Sequence, residues 1–172
     1  MRGATVASGV LLLALASRAL ILMPDRYCLA CICNASTNCS PRIGCRRQHG
    51  QLVCGPFLLT ADAWRRARAS GGTFAKRFRY LNYRTCANDG ACASEALSQY
   101  LSQSASDCDG DGRVTCKDFG IMNRAGVSGC RNRTEARRMM RSTYYRVLES
   151  CLVDVTVMLQ QPKLRSGCRY EA

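Results

Sequence analysis

Hydrophobic residues dominate the chain from Ala4 to Ala16, interrupted only by small polar positions and preceded by the cationic Arg2. Arg18 ends this run too early for a membrane span of ~20 apolar residues. With Ala14-Leu15-Ala16 or Ser17-Arg18-Ala19 as cleavage site, residues 1–19 read as a secretory signal peptide. Further on, the spacing changes to helical. Tyr27 to about Ser36 predicts a short helix with Cys28 and Cys31 on one face. Between Cys39 and Leu59, Pro41, Gly44, Gly50 and Gly55-Pro56 break the pattern into loops and short strands. Thr60 caps a helical turn leading to Ala63 and Trp64, and the Gly71-Gly72 pair places residues 68–74 in an exposed loop. Ser94 is expected to cap a helix carrying Leu97, Tyr100 and Leu101 at i, i+3, i+4. Thr134 is expected to cap the clearest helix, with Met140, Tyr144, Val147, Leu148 and Cys151 along one stripe. Pro162, Gly167 and scattered charge mark a loosely held C-terminal end. The resulting division is a signal peptide at 1–19, one domain over 20–152 and a tail over 153–172.

The cysteines change this picture most. There are thirteen in 172 residues, the density of a disulfide scaffold folded outside reducing compartments. A zinc site at Cys28-x-x-Cys31-x-Cys33 competes with disulfides, but no histidine lies near it and cysteines run through the whole exported chain. An odd total leaves at least one thiol without an intrachain partner. The formal net charge of +13 points to an anionic partner such as a wall polymer or membrane surface.

Taken together, Cys28-Leu29-Ala30-Cys31-Ile32-Cys33, Cys39, Ile43-Gly44-Cys45, Cys54-Gly55-Pro56-Phe57, Trp64, Cys86-Ala87-Asn88-Asp89, Cys92 and Gly129-Cys130 resemble the invertebrate-type lysozymes, a group that includes the leech destabilases. The resemblance implies an α+β, mainly helical, lysozyme-like and disulfide-rich single domain with a cleft between lobes. It implies bridges among Cys28, Cys31, Cys33, Cys39, Cys45, Cys54, Cys86, Cys92, Cys108, Cys116, Cys130 and Cys151, with Cys168 as the odd thiol. Two family cysteines are missing together, near Ala67 and near Ala96, as the loss of one bridge requires.

The family's catalytic Glu position falls at Ser36 and its catalytic Asp position at Gln48. Glycoside hydrolysis needs one carboxylic acid to protonate the leaving oxygen and a second carboxylate to attack or steady the sugar cation. A hydroxyl and a carboxamide do neither, and no Asp or Glu occurs from Tyr27 through Ala61. The isopeptidase activity of some members, attributed to a Ser and a Lys flanking the Cys-Gly-Pro segment, lacks both: that stretch reads Gly50-Gln51-Leu52-Val53-Cys54, with Thr60 at the Lys position. A substitute Ser36–His49 pair is conceivable, but a histidine in a Gly-flanked loop is ordinarily solvated.

Residues Asp107, Asp109, Asp111, Arg113 and Asp118 fall at positions 1, 3, 5, 7 and 12 of a calcium-loop pattern with Gly112 at 6, and a structural calcium is the cofactor expectation; none is required for function. A Cys108–Cys116 bridge would brace the loop. An Asp/Gly turn paired to neighbouring arginines is the alternative. Asn34 and Asn132 are sequon asparagines, and Asn38 is a poorer one beside Cys39. Basic clusters lie at Arg42/Arg46/Arg47, Arg65/Arg66/Arg68, Lys76/Arg77/Arg79/Arg84 and Arg131 to Arg141. Phe78, Tyr80 and Tyr83 among them do not make a nucleic-acid motif, so nucleic acid is not the expected partner.

The reading is a secreted, extracellular, monomeric homologue that binds bacterial peptidoglycan or another glycan in innate defence without hydrolysing it. Two alternatives stay open: an active lysozyme recruiting other carboxylates such as Asp62 or Glu95, and a cationic membrane-active antibacterial protein.

Overall fold

The computed structural model describes residues 22–161, and the expected signal peptide and Cys168 lie outside them. Asp25 accepts from the Cys28 amide at 2.7 Å and starts α1 (Arg26–Thr37); Asn38, in the left-handed region, ends it. Cys28, Cys31 and Ile32 form its buried face.

A hairpin follows, β1 (Cys45–Gln48) against β2 (Gln51–Cys54). Its two-residue turn, His49-Gly50, has positive φ at both positions (49° and 77°), the conformation that matches strand twist in tight hairpins. β3 (Leu59–Thr60) adds to β2, giving an antiparallel sheet in the order β1-β2-β3. The Tyr83 hydroxyl pins this lobe through the carbonyls of Leu52 and Leu59 at 3.0 and 2.8 Å. Gly55 (φ 71°) packs so tightly on the carbonyl of Ala87 that a Cβ would sit 1.5 Å from its oxygen.

Thr60 caps α2 (Ala61–Ala69), as its hydroxyl predicts. The stretch after it is only partly an exposed loop. Gly71 and Gly72 reverse the chain into α3 (Gly72–Arg77), because Phe74 is drawn into the core, 2% exposed, against Phe78. After α4 (Tyr83–Asn88), α5 (Gly90–Gln103) begins four residues before the expected Ser94; Asp89, whose carboxylate accepts from Cys92 N at 2.8 Å, is the cap.

α6 (Cys116–Arg131) opens with a Thr115/Asp118 capping box and breaks at Gly126, whose φ of 73° and ψ of 174° interrupt the helical turn. The single C-terminal helix expected from Thr134 is two helices. Asn132 accepts from the amides of Thr134 and Glu135 and caps α7 (Arg133–Met140), while Ser142 caps α8 (Thr143–Gln160). The break changes the helical phase, so Val147 is 37% exposed while Tyr145 and Leu148 are buried. Residues 153–160 continue α8.

Six disulfides join the twelve cysteines at 28–151: Cys28–Cys116, Cys31–Cys151, Cys33–Cys39, Cys45–Cys54, Cys86–Cys92 and Cys108–Cys130. Cys31–Cys151 fastens α1 to α8, and the core lies where these two meet α2, α5 and α6. The expected Cys108–Cys116 bridge is absent. Cys116 faces α1 and Cys108 faces the end of α6, while the loop between them closes by other means, described below.

Candidate functional site

Ser36 on the last turn of α1 and Gln48 at the end of β1 line one hollow of about 280 Å³, with Asn123, Arg124 and Glu135 around them. A second hollow of about 590 Å³ meets it over Gln51, Leu58, Thr60, Asn123 and Arg124, and runs on to Asp62, Arg66 and Arg131. Together they form a cleft between the sheet lobe and the α6–α7 side.

Ser36 and Gln48 are tied across the cleft by consecutive residues of α6. Asn123 Nδ2 donates to Ser36 Oγ at 3.3 Å and to the Phe57 carbonyl at 3.4 Å, and Arg124 donates to Gln48 Oε1. Beneath Ser36 lies the Tyr144 hydroxyl, donating to the Gly120 carbonyl at 3.1 Å; burial pushes its pKa up to about 12. It is therefore neutral and no proton source at ordinary pH. His49 lines the same hollow, but among the described residues no hydrogen bond joins it to Ser36.

Among the described residues two carboxylates line the cleft. Asp62 is held by Arg66 at 2.7 Å, with Arg65 at 3.9 Å. Glu135, which sequence reasoning missed, pairs with Arg138, whose guanidinium holds the carboxyl below the usual glutamate range. An acid kept ionised has no proton to give a leaving oxygen. Glu95 is bound to Arg77 and does not line either hollow.

Arg124 is the second residue the sequence did not announce. It is half-buried, and burial together with neighbouring Arg46 disfavours its charged form. Among the described residues it has no carboxylate within ion-pair distance, and neither has Arg131.

A family model described as Destabilase matches residues 25–151. The chain belongs to the destabilase, or invertebrate-type lysozyme, family. Among its relatives, invertebrate-type lysozyme 3 of Caenorhabditis elegans is 30% identical over 61% of this chain and 74% of its own length. A lysozyme of Ostrea edulis is 28% identical over 72% and 84%. In solved structures, Meretrix lusoria lysozyme in complex with Aeromonas hydrophila PliI aligns at TM-score 0.50 with 25% identity, covering 64% of this chain and 80% of the other. Tapes japonica lysozyme aligns at TM-score 0.53 and 23% identity over 86% and 95%, a likeness of fold.

Elsewhere on this destabilase-family fold, Asp107, Asp109 and Asp118 each bring a carboxylate oxygen within 4.8 Å of the others, while Asp111 and Arg113 are exposed outside that group. Asp118 is fully buried, and its oxygens accept from Cys108 N, Asp109 N, Thr115 N and Thr115 Oγ1 at 2.7, 3.3, 2.7 and 3.1 Å. Asp107 accepts from the amides of Gly110 and Gly112, which lower its pKa. The loop is closed by its own backbone donors. Of the sequon asparagines, Asn34 is half-buried on α1 and Asn132 is exposed at the α7 cap.

Proposed function

We propose that this chain is a secreted, cationic glycan-binding member of the family, acting on bacterial wall material in defence, with the lysozyme cleft retained and its acid–base chemistry lost. The observation that carries the reading is the state of the cleft's protonatable groups. Ser36 and Gln48 stand at the family's carboxylate positions, and Asp62 and Glu135 are each neutralised by an arginine. General acid catalysis contributes about 10²–10⁴-fold to such reactions, and Glu135, held below the usual glutamate range by Arg138, is kept ionised rather than ready to donate. The cleft's walls and its hydrogen-bonding side chains are what binding requires, and they are present.

The test is twofold. Purified protein added to a peptidoglycan suspension is expected to leave turbidity and reducing-end content unchanged. The same protein is expected to sediment with insoluble walls at low salt and to remain partly bound at high salt, where diffuse charge attraction is screened. Hydrolysis at an ordinary enzymatic rate overturns the reading, as does complete release from walls by salt.

A further inference from the structure

We infer that the cleft selects an anionic glycan, seating a sugar-borne oxyanion (carboxylate or phosphate) on Arg124 beside Gln48. This deepens the glycan-binding reading and rests on it. The argument is one of charge pairing within the cleft. Among the described residues four arginines line it, Arg66, Arg124, Arg131 and Arg138, against two acids, Asp62 and Glu135. Arg66 is paired to Asp62 and Arg138 to Glu135. Arg124 and Arg131 are left over. Arg124 sits where the two hollows meet, so a chain lying along the cleft passes over it. Its one side-chain hydrogen bond goes to a neutral amide oxygen, and Arg46 lies near enough to repel it. A half-buried guanidinium in that position gains from an oxyanion what no group among the described residues supplies, and its planar fork matches carboxylate and phosphate oxygens in pairs. A neutral amino-sugar chain would leave it uncompensated.

Three probes separate the possibilities, measured by calorimetry at physiological salt: neutral chitohexaose, a hyaluronan hexasaccharide carrying carboxylates, and poly(glycerol phosphate). The inference expects one or both anionic probes to bind more tightly than chitohexaose; which of the two wins identifies the oxyanion. Arg124→Gln is expected to weaken that binding about tenfold or more, the worth of one charge-assisted hydrogen bond, and to leave chitohexaose unaffected. Arg131→Gln should act in the same direction, and gives a second reading if Arg124→Gln lowers the melting temperature. Arg84→Gln, on an exposed site away from the cleft, should change little. An equal loss from Arg84→Gln overturns the inference in favour of diffuse attraction. Chitohexaose binding as tightly as the anionic probes overturns it while leaving the glycan-binding reading intact. If none of the three binds, both fall.

Discussion

The double replacement Ser36→Glu with Gln48→Asp puts the proposed loss of chemistry to its most demanding test. A glutamate at 36 would enter a half-buried position beside Asn123 and above the neutral Tyr144 hydroxyl, with no cation hydrogen-bonded there. Desolvation raises a carboxyl pKa, so this group keeps its proton toward neutral pH. An aspartate at 48 would take over the guanidinium that Arg124 now offers Gln48. An arginine at that range lowers a carboxyl pKa by about 1–3. The two new carboxyls are thereby driven apart, one acid and one ionised, which is the division of labour that glycoside cleavage needs. A general acid alone is worth about 10²–10⁴-fold, or roughly 3–5 kcal/mol of barrier.

The double variant should therefore release reducing ends from peptidoglycan at least about a hundredfold faster than the native protein or either single variant, with a bell-shaped pH profile. Because Ser36→Glu also removes the Asn34 sequon, Asn34→Gln is the control for any glycan at the cleft mouth. Native protein hydrolysing as fast as the double variant would refute the reasoning, since an acid–base pair would already be present. A folded but silent double variant would refute the assignment of positions 36 and 48.

Three further outcomes are expected. Ala67 on α2 and Ala96 on α5 are both fully buried on helices that pack together, so Ala67→Cys with Ala96→Cys should form a seventh bridge, seen as two lost hydrogens by intact mass. The chain-entropy relation for a loop of about 30 residues gives roughly 3–4 kcal/mol and a higher Tm; free thiols at both sites would refute the expectation. Gly55→Ala should prevent recovery of folded protein, because its Cβ would overlap the Ala87 carbonyl and its φ is positive; a melt within a few degrees of native would contradict this close approach. The Glu135 carboxyl, lowered by Arg138, should titrate below the ordinary glutamate value of about 4.3 by carbon-13 NMR. The stability from this pair is fully present above that ordinary value and is lost as pH falls through the lowered one, and Glu135→Gln should remove that acid limb. A midpoint at or above the ordinary value would return Glu135 as a candidate acid.

What the sequence made legible was local or counted. Caps such as Thr60 act over three residues, and the cysteine framework carries the family pattern from residue 28 to 130. The helix ends went astray where one competent cap hid another: Asp89 lies five residues before Ser94, and Asn132 two before Thr134. A continuous apolar stripe over 140–151 did not reveal that Ser142 restarts the helix in a new phase. The cleft's far wall was illegible for a different reason. Asn123 and Arg124 meet their partners 87 and 76 residues upstream, and only the kink at Gly126 hints that this helix does not run straight past the hairpin.

That far wall links selectivity for anionic glycans to the missing carboxylate at 48. Consecutive residues of α6 touch Ser36 and Gln48 in turn, Asn123 at 36 and Arg124 at 48. With a carboxylate at 48, the guanidinium would have an internal counter-charge, and the cleft would offer a neutral sugar a balanced floor. With an amide there, the same guanidinium keeps its hydrogen bond and loses its counter-charge. On this reading, the amide at 48 both removes one of the two catalytic carboxylates and creates the selectivity for anionic glycans. Gln48→Asp alone should then abolish the preference for charged oligosaccharides without restoring cleavage, and a single variant that retains the preference would separate the two.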